Sequence, residues 1–146
     1  MHTHFVATVI YRFFDEMEFL VIDYRSTDPK RDRKTLIQTK FVGGTNKECP
    51  DESVELTRNR EVLEETGLIL QNSKLIWKKE ANPDHTKYGF ISSFIECRGD
   101  LRKEPLIDDG DELSAPFWFS AKTLGRVLFH SHQELYLAAL RELRIY

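Results

Sequence analysis

The segment REVLEETGL, residues 60 to 68, places Arg60, Glu61, Glu64 and Glu65 within six consecutive positions and stops at Gly67. An α-helix turns by about 100° per residue, so the three glutamates share one arc roughly a quarter of the way round it. Like charges so placed cost roughly a few tenths of a kcal/mol per pair in an isolated helix, and need either open water or a counter-charge. A solvated acidic face meets the first need. A hard divalent cation such as Mg²⁺ or Mn²⁺, which seeks clustered carboxylate oxygens, meets the second. Either way the chain is committed to a helix with an acidic face, closed by a glycine.

The flanking sequence sets that helix among strands. Residues 4 to 14 and 19 to 24 are rich in β-branched and aromatic residues, and the charged tip DEME between them predicts a β-hairpin. RSTDPKRDRK, residues 25 to 34, carries a proline and five basic residues and reads as an exposed loop. LIQTKFV, 36 to 42, is a third strand; GGTNKECPDES is a structured loop; and the helix runs from near Ser53 to Gly67. LILQNSKLIWKKE and KYGFISSFIEC are two further β-prone runs, turned at Asn82 and Pro83. IDDGDELSAP, 107 to 116, reads as an acidic loop, and FWF as a short strand ending at Ser120, an N-cap for a small helix. SHQE has capping-box spacing and starts the last helix at Ser131, where Leu135, Ala138, Ala139 and Leu143 recur at helical spacing as core positions.

With 146 residues, 40% hydrophobic and 31% charged, the chain suits one ordinary globular domain, residues 1–146, with no repeat or linker. A net charge of −3 argues against general nucleic-acid binding. Cys49 and Cys97 make no metal-like pair, and the N-terminus has no signal-peptide pattern, so a reduced, cytoplasmic setting is expected. The longest apolar runs, such as FLVI at 19 to 22, are too short to cross a membrane. His2 and His4 alternate and read as surface histidines on an extended end.

The order strand, glycine turn, acidic helix, glycine, strand resembles the Nudix hydrolases (MutT-like), whose signature is G-x5-E-x7-R-E-U-x-E-E-x-G-U, with U aliphatic. Glu52, then seven residues, then Arg60, Glu61, Val62, Glu64, Glu65, Gly67 and Leu68 fill every fixed position from the first glutamate onward. One departure stands: seven residues, Thr45 to Asp51, separate Gly44 from Glu52 where the pattern has five. Without a gap the pattern glycine falls on Asn46, a residue tolerant of left-handed backbone angles; FVGG before it looks like the usual strand-to-loop entry and favours Gly44 with a longer loop.

The resemblance implies an α/β fold, a Nudix α/β/α sandwich with a central mixed β-sheet and the Nudix loop-helix-loop. It implies that Glu64 and Glu65 are the principal metal ligands, with Glu61 beside them as a further ligand or a base acting through water. The backbone carbonyl near Gly44 would add a metal contact, and Arg60 would steer a glutamate rather than touch substrate. Glu52 lies nine residues before Glu61, about half a turn out of phase, so it must act from the helix start, by binding Arg60 or a water. The expected cofactor is Mg²⁺ or Mn²⁺, because an anionic diphosphate repels hydroxide until cations neutralise its oxygens and acidify a water.

Family members often take a further base from a loop away from the helix. DDGDEL, 108 to 113, offers Glu112 or Asp109, with Asp111 behind them. For substrate phosphates, Arg25, Lys40 and Lys87 lie near predicted strand ends. Tyr88, Phe90 and Phe41 are aromatic candidates for a base, or core residues. Lys30, Arg31, Arg33 and Lys34 form a solvated loop or a phosphate-recruiting lid. The implied substrate is a nucleoside diphosphate linked to another group: a nucleoside triphosphate, nucleotide sugar, dinucleotide or capped RNA 5′ end. A homodimer is compatible with the resemblance. The alternative is a non-catalytic Nudix domain that senses a nucleotide or docks on a partner.

Overall fold

The computed structural model describes residues 2–26, 37–108 and 110–145. Asp109 and the basic residues Lys30, Arg31, Arg33 and Lys34 lie outside the described residues.

Strands β1 (Thr3–Phe14) and β2 (Glu16–Ser26) make the predicted hairpin, turned at Asp15 with φ 61°. β3 (Gln38–Lys40) pairs with β2, and β4 (Val42–Thr45) with β1. Helix α1 (Val54–Thr66) follows, then β5 (Lys74–Asn82) and β6 (His85–Ser93). β7 (Leu106–Asp108), β8 (Asp111–Leu113), β9 (Phe117–Ser120) and helix α2 (Gln133–Glu142) complete the order. The sheet runs β5-β6-β1-β2-β8-β7, with β9 also on β2. β1 and β6 are parallel and the other pairs antiparallel, so the sheet is mixed as expected.

Each face of the sheet has its own core. Phe19 and Val21 of β2 join Ala7, Val9, Leu135 and Ala139 on the α2 side, while Leu20 and Ile22 join Ile10, Val42 and Val62 on the α1 side. Side chains alternate along a strand, so a strand covered on both faces is apolar throughout. That is why FLVI has no polar position and is fully buried.

Tertiary partners redraw several predicted elements. LIQTKFV splits at Phe41, whose N–H leaves the ladder for Nδ1 of His132 at 3.2 Å. The run from Leu68 becomes regular only at Lys74, and the run from Lys87 ends at Ser93, where a 3₁₀ turn, Phe94–Glu96, takes over. The acidic loop is a hairpin, β7–β8, turned through Gly110 at φ 81°. Ser120 ends β9 instead of capping a helix, and a 3₁₀ turn, Leu124–Arg126, follows. The Ser131 capping box does not form. His130–His132 is a 3₁₀ turn leading into α2, His132 is held by Phe41, and Glu134 pairs with Lys79 at 2.8 Å.

Candidate active site

Ser53 caps α1 by accepting from the Leu56 N–H at 3.1 Å, and Gly67, at φ 85°, closes it with its N–H on the Leu63 carbonyl. Between these caps Val62 enters the core. Glu61, Glu64 and Glu65 line one cleft of about 770 Å³, which Thr45, Leu106 and Leu113 help to wall. Acidic face and cleft coincide.

Arg60 organises the carboxylates. Its Nε and Nη2 donate to the two oxygens of Glu52 at 2.8 and 2.9 Å, and Nη1 donates to Glu61 at 2.7 Å and to Glu64 at 3.4 Å. Nη2 also reaches the Thr45 carbonyl at 3.0 Å, tying the loop after β4 to the helix. The forked, charge-assisted bond is the strong kind. Held first by Arg60 and then by the Thr57 hydroxyl at 2.6 Å, the Glu52 carboxyl is pulled down to about 2. Because that carboxylate only accepts, the Thr57 hydroxyl donates its hydrogen bond to it and must accept from Nε2–H of His4 at 2.7 Å. His4 is therefore a buried neutral member of this network, its pKa lowered by burial, and not the surface residue its position suggests.

A pH dependence follows. An ordinary glutamate titrates near ~4.3. Since Glu52 titrates at about 2 when folded, its pairing stabilises the protein above the ordinary value and fades as pH falls from there through about 2. Glu52→Gln is expected to lower stability near about pH 7 and to lose that deficit in acid, as urea unfolding along a pH series will show. A deficit that persists unchanged at low pH contradicts the assignment.

Glu65 is buried on the sheet side of the helix. One oxygen accepts from the Gly43 N–H at 2.7 Å and the other from the Tyr24 hydroxyl. Gly44 lies so close to Glu61 that a Cβ there would overlap its carboxylate. Gly44, not Asn46, is thus the glycine that faces the acidic helix. Asn46 is buried, accepts from the His4 N–H at 2.8 Å and donates to the Pro50 carbonyl at 3.3 Å. It does not need a left-handed backbone. The longer loop turns just beyond it, with Cys49 N–H on the Asn46 carbonyl at 3.0 Å and Glu52 N–H on that of Cys49 at 2.9 Å.

Three glutamates on one wall and a glycine that leaves them room fit a hard divalent ion by donor chemistry. Among the described residues no three acidic, imidazole or thiol side chains already converge as a metal cluster. Glu61 is occupied by Arg60, and Glu65 by Gly43 and Tyr24.

The remaining candidates scatter. Arg25 and Glu112 face each other in the β2–β8 register, one residue out of step with Tyr24 and Leu113, which pack on the α1 side. Alternation turns both away from the glutamates. Asp111 stands opposite Ser26. Lys40 and Lys87 line a second cavity, of about 190 Å³, on the α2 side; it adjoins the cleft at Thr45 and Lys47, which border both. Tyr88 meets the His4 ring edge-on at 6.4 Å beneath the Lys78 amine, and Phe41 and Phe90 are core. Sequence reasoning missed Tyr24, Lys47, Trp77 and His132. For Tyr24 a signal existed, since it continues the every-other-residue row of Leu20 and Ile22 toward α1.

A mixed sheet with a helix on each face, and a glycine-entered, glycine-closed acidic helix along a cleft, is the architecture of a Nudix domain. The NUDIX domain model matches residues 3–140, and the chain belongs to the Nudix family. No curated protein matches its sequence. Among solved structures it is similar to the MutT NUDIX hydrolase from Burkholderia pseudomallei, with TM-score 0.65, 21% identity and 94% of this chain and 96% of that one covered. The NUDIX domain of Shewanella oneidensis NrtR, solved with ADP ribose, gives TM-score 0.66 at 16% identity over 98% of this chain and 89% of that one. An ADP compounds hydrolase gives 0.69 at 15% identity over 98% and 73%. At such identities the likeness concerns the fold. No helix among the described residues is long and apolar enough to cross a membrane.

Proposed function

We propose that this protein hydrolyses a diphosphate linkage in a nucleoside diphosphate joined to another group, with Mg²⁺ or Mn²⁺. The observation that carries the reading is that Glu61, Glu64 and Glu65 line one cleft, with Gly44 against Glu61 and Arg60 bonded to Glu61 and Glu64. Glu64 and Glu65 would hold the ion, with Glu61 as a further ligand or as a base through water. An ion bound there supplies charge neutralisation of the anhydride oxygens and a more acidic water. The chain's own part is to orient these carboxylates: Arg60 holds Glu61, while Gly43 and Tyr24 hold Glu65. Lys40 and Lys87 supply cations beside the cleft for the substrate. Glu112, a candidate for an additional base because DDGDEL is acidic, has no part in this reading, since the β2–β8 register turns it away from the glutamates.

The test is release of phosphate and pyrophosphate from nucleoside triphosphates, ADP-ribose, NADH, diadenosine polyphosphates and 5′-triphosphate RNA, with Mg²⁺, with Mn²⁺ and with chelator. Metal-dependent turnover of one class is expected. Tight nucleotide binding without turnover of any class overturns hydrolysis in favour of a sensing domain.

A further inference from the structure

The cavity on the α2 side differs from the glutamate cleft in charge and size. Lys40, Lys47 and Lys87 line it together with His85, Trp77 and His132, and no acidic residue does so among the described residues. Among the described residues neither Lys47 nor Lys87 has an ion-pair partner. The contrast with the neighbouring position is direct. Lys79 stands opposite Lys87 in the β5–β6 register and is neutralised by Glu134 at 2.8 Å. The field of these amines is felt by the two histidines. Burial first, then Lys40 and Lys87, push His132 down to about 3; burial first, then Lys47 and Lys87, lower His85.

His132 adds a second, independent observation. It is 4% exposed, and its Nδ1 accepts the Phe41 N–H, so the ring proton sits on Nε2. Nε2–H has no protein acceptor among the described residues, although the residue lines the cavity. Two lysines without an ion-pair partner, Lys47 and Lys87, thus line a small space together with Lys40, whose amine lies over the Tyr24 and Phe129 rings, and with His132, and no acidic residue among the described ones joins them. At about 190 Å³ the space is below the roughly 300–1,000 Å³ of sites that take a whole small molecule, so it suits one group of a larger ligand. A phosphomonoester, with nearly two negative charges and three acceptor oxygens, matches that donor set.

We infer that this cavity binds a phosphomonoester carried by the substrate apart from the diphosphate that is cleaved, so that the preferred substrates bear a further terminal phosphate. The shared border at Thr45 and Lys47 lets one molecule occupy both sites. The inference rests on the hydrolase reading only in giving the glutamate cleft to the diphosphate.

Calorimetric binding to the full chain in chelator tests it, using coenzyme A against dephospho-coenzyme A and NADPH against NADH, pairs that differ by one phosphomonoester. The phosphorylated member of a pair is expected to bind about ten-fold tighter or more. Lys87→Met and Lys47→Met should each bring the ratio toward one, whereas Lys79→Met should leave it. Equal affinities in both pairs, or a ratio untouched by Lys87→Met and Lys47→Met, overturn the inference. So does failure of all four compounds and of inorganic phosphate to bind at millimolar concentration. Hydrolysis with Mg²⁺ is scored separately. A preserved ratio without hydrolysis of any compound removes the hydrolase reading and leaves the cavity assigned; hydrolysis with a ratio of one removes the cavity alone.

Discussion

Glu64→Gln is expected to lower turnover on the order of a thousand-fold or more while leaving the fold intact. Glu64 is the most exposed of the three glutamates, at 57%, and its one contact with Arg60 is long, 3.4 Å. Its charge contributes little to stability, since an exposed pair at this spacing is worth roughly 0.3–0.5 kcal/mol. Glutamine keeps the volume and removes the charge and the ligand basicity, so the loss should fall on ion binding and catalysis. Three measurements separate these effects: kcat, Mn²⁺ affinity by electron paramagnetic resonance, and urea unfolding. Wild-type turnover with unchanged metal dependence sinks the assignment of Glu64 as a ligand.

Arg60→Met should act in the opposite proportion, damaging the fold as well as the activity. It leaves Glu52 and Glu61, 12% and 15% exposed, as carboxylates without their main counter-charge. Removing one partner of a buried pair costs about 3–5 kcal/mol; with Arg60 itself 31% exposed, solvent screening reduces this to about 2–3 kcal/mol. Glu52→Gln in the same chain should recover part of that loss, because one of the stranded charges is then gone. Double-mutant unfolding in urea reads the coupling. Strict additivity of the two substitutions means that Arg60 and Glu52 do not act as a pair in solution.

What the sequence disclosed depended on whether the cause was local. The acidic helix, its Ser53 start and its Gly67 stop are written in consecutive residues and hold in the structure. The β1–β2 hairpin is equally local. The failures are places where a distant group outbids a neighbour. Ser131 loses its capping role because His132 answers an N–H at Phe41, 91 positions away, and LIQTKFV breaks for the same reason. His4 can be buried because Thr57, 53 positions on, accepts a hydrogen bond from its Nε2–H. At the site, the glutamates and Arg60 were legible from spacing and resemblance. The cavity of Lys40, Lys47, Lys87 and Trp77 was not, because β3, the loop after β4, β5 and β6 bring those residues together only after the sheet has formed.

The division of labour between the two sheet faces bears on how such a protein changes over generations. The acidic cleft draws on α1, the end of β4 and the β7–β8 hairpin, while the basic cavity draws on β1, β3, β5, β6 and the approach to α2, and both are bordered by Thr45 and Lys47. Substitutions at Trp77, His85 or Lys87 can therefore retool which compound is admitted while the glutamate machinery is inherited untouched. The reverse does not hold. Arg60 is bonded to the Thr45 carbonyl and Gly44 lies against Glu61, so a change in the machinery also moves the border of the cavity. Lineages built on this plan should diversify their diet far more readily than their chemistry.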